Sequence, residues 1–518
     1  MRFLLPIVLC LELVAPQPAV RPAPPPDLDA WVGRAMRTFD VPGIALAIVK
    51  DDAVVLAKGY GVRKLGDATP VDARTLFGIA SNTKAFTATA LGLLVEAGKI
   101  AWDAPVVRYL PAFALSDPYV TRELTVRDLL VHRSGLGLGA GDLLWWPPST
   151  YNRKEIAQRL RFIPLATSFR SAYAYDNVLY LVAGELIEAI TGQSWEEFVT
   201  SRILTRVGMS GSNVRHSAAA ANGNIAAPHA VIDGRVRPIA PFDSDNTNPA
   251  GGINSSADDM AKWLRVQLSG GRLADGGRLF SAATARELTS IVTPLRVADP
   301  PPELPPLKND FRGYALGFDI RDYRGRKAVM HTGGLPGYVS RVIMIPDASL
   351  GVAVLTNQES TDAFDAIAFH VVDHYLDAEP AFDWIDGYAK WSARRDRESA
   401  AEDRGAAASR VAASKPSLPL AQYAGTYRDQ WYGDIVIAHA NGKLTMTFSH
   451  TPQLAGELEP YQHDTFIARW RDRELRADAY VTFALNPDGS IDQARMRAVS
   501  ASTDFSYDFQ DLLLRPVR

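Results

Sequence analysis

Apolar and polar positions change texture several times along the chain, and each change predicts an element. Residues 28–38 repeat at helical spacing. Residues 43–49 and 53–60 are β-type runs around a Lys50-Asp51-Asp52 turn. An Ala- and Leu-rich run then extends to about Gly98. Its composition favours helix, Gly98 is a plausible stop, and the run is apolar on most sides, which predicts a buried helix. Residues 124–136 are expected as a helix ending in a Gly-rich loop, and residues 179–190 as an apolar helix. The Pro249-Ala250-Gly251-Gly252 segment leads by a turn into another capped helix. Residues 294–310 are Pro-rich and expected as a long surface loop. Residues 314–318, 328–334, 340–345 and 351–356 read as consecutive strands broken by Gly, Pro and Asp turns, and a helix follows over 362–376. A strand pair, a helical insertion, three or four strands and a helix predict an α+β fold. In it an antiparallel sheet is shared by both ends of the segment and flanked by helices, with an all-helical insertion.

Residues 386–417 are mixed-charge and Ala-rich, ending Ser414-Lys415-Pro416-Ser417, and read as a helix and linker. From Leu418 the texture turns to short β-like runs at 425–427, 434–438, 443–448, 465–468 and 480–485, with hairpin signals at Asn441-Gly442 and Asp488-Gly489. Residues 418–518 are therefore expected as a separate all-β, barrel-like domain, after a main domain over 27–385. Its aromatic residues Tyr427, Trp431, Tyr432 and Trp470 read as core or domain-interface packing. At the other end, Arg2 and a short apolar run suggest a signal peptide, with residues 1–26 as signal and Pro-rich lead-in. Pro6 and Glu12 interrupt the run, and Ala15 and Ala19 are candidate cleavage positions. A secreted or periplasmic location is expected, or a cytoplasmic one if that segment does not act as a signal.

Composition narrows the function classes. A hydrophobic content of 47 % and a charged content of 22 % are those of a soluble globular protein, and a net charge of −3 argues against a general nucleic-acid binder. The apolar N-terminal run is too short for a stable membrane span. The single cysteine, Cys10, lies in the leader, so the rest of the chain holds neither a disulfide nor a Cys-based metal site.

Candidate chemistry starts at Ser81 and Lys84, three residues apart at the head of the buried run. Residues at i and i+3 share a helix face, and a lysine on a buried helix must be paired or lose proton affinity. Such a lysine can take the hydroxyl proton and turn the serine into a nucleophile. Alone, a Ser-x-x-Lys spacing is weak evidence. Downstream, Tyr175-Asp176-Asn177 sits on a loop before a helix and can point two side chains into one pocket, and His331-Thr332-Gly333-Gly334 lies on a strand. His132 reads as a structural hydrogen-bonder at a helix end rather than a base, because nothing links it to Ser81. Arg341 reads as a surface arginine, with a carboxylate contact as its alternative role.

These three elements, in this order, resemble the serine β-lactamase and penicillin-binding protein superfamily over residues 28–380. Tyr-x-Asn is similar to the class C β-lactamase, esterase and D-aminopeptidase branch, as are residues 129–135 and 249–252. The resemblance implies a β-lactamase/transpeptidase-like fold and a serine hydrolase that needs neither metal nor cofactor. Ser81 would form an acyl-enzyme. Lys84 and Tyr175 would share acid–base work, the first base being left open, with a nearby ammonium favouring the phenolate. Asn177 would hold Lys84 or a substrate amide. The backbone N–H groups of Ser81 and Gly334 would form an oxyanion hole, and Gly333 and Gly334 would leave room for substrate along the strand. The departure is His331, where β-lactamases usually carry lysine. A largely neutral imidazole weakens the case for penicillins and fits small esters, amides or D-amino-acid peptides. A β-lactamase or DD-peptidase is the alternative, and a catalytically silent binder of peptidoglycan fragments or β-lactams is another. The last domain resembles the lipocalin-like module of some members, and is expected to shield the active-site mouth or to form a homo-oligomer.

Overall fold

The computed structural model describes residues 23–218, 223–408, 410–411 and 413–517. The expected signal segment and most of the Pro-rich lead-in lie outside these residues. The centre of the first domain is an eight-stranded antiparallel sheet. Its strands are β1 (Gly43–Lys50), β2 (Ala53–Gly61), β3 (Thr293–Pro294), β4 (Arg312–Tyr314), β5 (Asp319–Tyr323), β6 (Arg326–Leu335), β7 (Tyr338–Ile345) and β8 (Leu350–Thr356). They lie in the order β2-β1-β8-β7-β6-β5-β4-β3, so the first strand pairs directly with the last, Ile44 opposite Thr356. Ile44, Leu46 and Ile48 pack on one side, and Ala45, Ala47 and Val49 on the other. A strand buried on both faces reads as a continuous apolar run, as β1 does.

Helices α1 (Leu28–Thr38), α5 (Thr361–Tyr375) and α6 (Trp384–Ala408) lie on one side of the sheet, with Val32, Phe364, Phe369 and Trp384 in that core. On the other side sit α2 (Lys84–Glu96), α3 (Val178–Thr191) and α4 (Ala257–Leu268). Every residue of α2 from Lys84 to Gly92 is buried, and Phe86 stacks on Trp263 of α4 at 3.9 Å. The insertion between β2 and β3 carries two short ribbons beside its helices, Phe77–Gly78 with Asn254–Ser255 and His229–Ile232 with Arg235–Pro238.

Three expectations need correction. The helix expected over 124–136 is a single 3₁₀ turn, Arg127–Leu130. Buried Asp128 accepts the Thr125 N–H and hydroxyl and pairs with Arg133 and Arg170, and these local partners hold the backbone out of a longer helix. Residues 314–318 are not one strand: Tyr314 ends β4, the chain turns at Gly317 with φ +81°, and β5 starts at Asp319. The 294–310 segment is not wholly on the surface, since Leu304 is fully buried against the α1–α5 core.

The C-terminal domain is a closed barrel of eight antiparallel strands from Gly425 to Pro516. Three of them, Ala455–Gln462, Ile491–Ala498 and Leu513–Pro516, lacked a sequence signal strong enough to find. Closure removes the edges that would otherwise need protection. Tyr427, Trp431, Tyr432 and Trp470 are buried, and their core is continuous with Trp145, Trp146 and Tyr151 of the first domain. Among the described residues no helix is long and apolar enough to cross a membrane.

Candidate active site

Ser81 lies in a 3₁₀ turn, Ala80–Thr83, that runs directly into α2. Ala80 has φ +49°, a conformation costly for a residue with a Cβ, held here by the pairing of Phe77–Gly78 with Asn254–Ser255 and by the Ile79 N–H donating to Ile253 O at 2.9 Å. The elbow leaves Ser81 partly exposed while Lys84, one turn on, is completely buried. Lys84 Nζ donates to Ser81 Oγ at 3.0 Å, to Asn177 Oδ1 at 2.7 Å and to the Ala250 carbonyl at 3.1 Å. Its three donors are thus used up, and the faces of Tyr175 and Tyr180 lie 4.9 and 5.1 Å away. Burial pushes the amine down to about 7, against the opposing pull of the Asp142 and Asp176 carboxyls.

Tyr175 and Asn177 come from the loop that enters α3. That loop is tied down by the Ala174 N–H donating to His132 O at 2.9 Å and the Asp176 N–H donating to His132 Nδ1 at 3.2 Å. The His132 ring lies 4.2 Å from the Tyr175 ring, so His132 packs the tyrosine, and burial keeps it neutral. Burial also pushes the Tyr175 phenol well above its ordinary value, with Ser81 as the hydrogen-bonding neighbour that lowers it. A nearby ammonium was expected to favour the phenolate; burial first, then the neighbouring Tyr173, Asp142 and Asp176, work against it.

His331, Thr332, Gly333 and Gly334 lie on β6 where it runs past the end of β5, whose last pair is Met330 with Asp319. His331 Nδ1 lies 2.5 Å from the Thr332 carbonyl, which only accepts, so Nδ1 carries the proton and Nε2 accepts from the Tyr314 hydroxyl at 2.7 Å. Burial, chiefly, pushes this imidazole down to about 3. Both nitrogens are occupied inside the protein. The two glycines differ in role from the expectation of open space at both. A Cβ on Gly333 would lie 2.1 Å from the Ile79 carbonyl oxygen and 3.0 Å from the Ala80 Cβ, so Gly333 lets β6 approach the Ser81 elbow. Only Gly334 faces open space.

These residues surround one cleft of about 560 Å³, lined by Ser81, Tyr175, Asn177 and His331–Gly334. Several of its parts were missed in the sequence. Asp142 accepts from Asn177 Nδ2 at 2.8 Å, and burial pushes its carboxyl up to about 7. Phe505, from the barrel domain, lines the cleft and meets the Tyr175 ring edge-on at 5.9 Å. Arg341 is not a surface residue; it is 8 % exposed and pairs with Asp365 at 3.1 Å. Arg321 also lines the cleft, and its Nε has no hydrogen-bond partner among the described residues. Among the described residues no group of three His, Cys, Asp or Glu side chains could hold a metal ion.

Comparison with known proteins agrees with this architecture. Residues 28–376 match the family model of beta-lactamase, and residues 409–516 match a domain of unknown function, DUF3471. The chain is 30 % identical over 492 residues to the unguisins hydrolase ungD of Aspergillus violaceofuscus, covering 89 % of this chain and 86 % of that protein. It is 29 % identical over 334 residues to penicillin-binding protein 4 of Amycolatopsis lactamdurans, covering 62 % and 83 %. The octameric penicillin-binding protein homologue from Pyrococcus abyssi shares the fold with a TM-score of 0.60 at 22 % identity, over 94 % of this chain and 99 % of that one. A D-stereospecific amidohydrolase from Streptomyces does so with a TM-score of 0.53 at 22 % identity, over 66 % and 99 %. The match over residues 28–376 places the chain in the beta-lactamase family of hydrolases.

Proposed function

We propose that the protein is a serine hydrolase that cleaves ester or amide bonds, D-amino-acid peptides among them, through an acyl-enzyme on Ser81. The observation that carries the reading is the 3.0 Å contact between Ser81 Oγ and a buried Lys84 whose amine is pushed down to about 7. At neutral pH a large fraction of that amine is free, and it takes the hydroxyl proton as Ser81 Oγ attacks the substrate carbonyl. Tyr175 stays protonated and hands its proton to the leaving group, recovering one from Lys84. The backbone N–H groups of Ser81 and Gly334 receive the developing oxyanion. Water then attacks the acyl-enzyme by the same route in reverse, releasing the acid and restoring Ser81.

His331 and Arg341 bear on the substrate. A neutral imidazole and an arginine already paired with Asp365 offer no free cation at the two positions considered for a β-lactam carboxylate. Arg321 gives the cleft a cationic wall elsewhere, which suits a peptide with a carboxylate end. The relative named as a D-stereospecific amidohydrolase is in keeping with amides among the substrates. The barrel supplies part of the cleft wall through Phe505, in keeping with a shielding role.

The test compares p-nitrophenyl butyrate, a D-alanyl p-nitroanilide and a chromogenic cephalosporin, for wild type and Ser81→Ala. Cleavage of the ester or the anilide, lost by roughly a thousandfold or more in Ser81→Ala, supports the reading. Undiminished activity in Ser81→Ala overturns it. A cephalosporin cleaved fastest replaces it with the β-lactamase reading, and an unreactive Ser81 with the silent-binder reading.

A further inference from the structure

Asp142 is a fully buried carboxylate on a loop of the first domain, and one of its hydrogen bonds comes from the barrel. Ser506 Oγ donates to Asp142 Oδ2 at 2.9 Å, and Asn177 Nδ2 donates to the same oxygen at 2.8 Å. Trp145 Nε1 donates to the other oxygen at 2.9 Å. A carboxylate only accepts, so Asp142 fixes which way the Asn177 amide faces: nitrogen towards the acid, oxygen towards Lys84 Nζ at 2.7 Å. The Asp142 loop is itself clamped from the barrel. Asp508, fully buried, accepts the Gly141 N–H at 2.7 Å and the Leu143 N–H at 2.9 Å. Ser506 and Asp508 thus grip three consecutive residues of the first domain, Gly141 and Leu143 by their backbone N–H groups and Asp142 by its side chain, which lies two hydrogen bonds from the reactive amine.

We propose that Ser506 is a positioning residue for Lys84: acting through Asp142 and Asn177, the docked barrel sets where the lysine amine sits and how tightly it holds its proton. This rests on the Ser81–Lys84 reading above. The charges around the amine give the sign. Asp142 and Asp176 face Lys84 and favour its charged form, whereas His132 and His331 are neutral and Tyr175 and Tyr180 present uncharged rings. Asp508 faces Asp142 from the far side, and the two acids discourage each other's ionisation. The Ser506 hydroxyl works the other way, since its bond is to the ionised form of Asp142. Without that bond Asp142 takes a proton more readily, less negative charge faces Lys84, and the amine gives up its proton at a lower pH.

The test needs no knowledge of the substrate. The rate at which a fluorophosphonate probe labels Ser81, located by peptide mass spectrometry, is measured from pH 5 to 9 in the full chain, with thermal melts alongside. The acid limb of the profile moves to lower pH by about half a unit in Ser506→Ala and stays in place in Ser506→Thr, which keeps the hydroxyl. In Asp142→Asn it moves by about one unit, and the maximal rate also falls, because a neutral amide no longer dictates the facing of Asn177. Limbs that coincide with wild type in both Ser506→Ala and Asp142→Asn overturn the inference, even if rate and melting temperature fall together at all pH values. A wild type that is not labelled at Ser81 overturns the hydrolase reading itself, and the inference with it.

Discussion

The Tyr314 hydroxyl donates to His331 Nε2 at 2.7 Å and occupies the lone pair a second proton would need, while the Nδ1 bond to the Thr332 carbonyl favours the charged ring and burial outweighs it. Its proton affinity in the fold, about 3, lies below the unfolded value of about 6.5. The unfolded chain therefore takes up a proton that the fold refuses. The stability His331 contributes is complete above pH 6.5 and is lost as pH falls towards 3. His331→Gln lacks this dependence. The difference in unfolding free energy between wild type and variant, measured by urea melts, should shrink by about 1–2 kcal/mol between pH 7.5 and pH 5. A constant difference would mean that the ring takes up its proton in the fold as readily as in the unfolded chain.

Gly333 and Gly334 are neighbours with opposite tolerances. Gly333→Ala places a methyl against the Ile79 carbonyl, Ser340 Oγ and the Ala80 Cβ, and should cost about 1–3 kcal/mol in denaturant melts and sharply reduce Ser81 labelling. Gly334→Ala should melt like wild type, since nothing lies within 4 Å, and should alter only the kinetics.

Phe505 is 40 % exposed, yet it lines the cleft and packs edge-on against Tyr175. Phe505→Ala should raise KM several-fold for substrates with a bulky apolar group while leaving kcat within about threefold, because it removes binding shared by ground state and transition state. A kcat loss at constant KM would place Phe505 in the chemistry instead.

Arg321 lines the cleft beside Arg341, and burial together with that neighbour lowers its proton affinity. Arg321→Met relieves a desolvated cation whose Nε has no partner among the described residues, so the melting temperature should rise. If the guanidinium meets a substrate carboxylate, the same variant raises KM for a peptide with a free C-terminus and leaves p-nitrophenyl butyrate unaffected. Equal effects on both substrates would remove that role.

Strands β1, β2, β6, β7 and β8 and helices α2, α3 and α5 were legible in the sequence because each is a long run with clear turn signals at its ends, whereas β3, β4 and β5 are short and broken by turns and were not. Ser81, Lys84, Tyr175, Asn177 and the His331–Gly334 strand were legible because each motif is local, and the structure brings all but Lys84 to the wall of one cleft, with Lys84 buried behind Ser81. The remaining parts had no local signature. Ala250 acts through its carbonyl, which any residue could supply. Asp142 lies in a Gly-rich loop without periodicity, and its importance follows from burial that only tertiary packing creates. Arg341 has the composition of a surface residue and becomes internal because β7 is covered by α5. The partnership of Ser506 with Asp142 depends on how two separately patterned domains dock.

That partnership also has a place in time. Ser506 and Asp142 are 364 positions apart in the chain. A chain emerging from the ribosome can complete its sheet and bury α2 once β8 has paired with β1, yet the carboxylate that orients Asn177 still lacks its last donor. The barrel is the last part of the chain to be made, so its contacts with the first domain follow that domain's synthesis. On the proposal made for Ser506, a nascent chain whose barrel has yet to fold and dock carries a folded body and an unfinished lysine cradle.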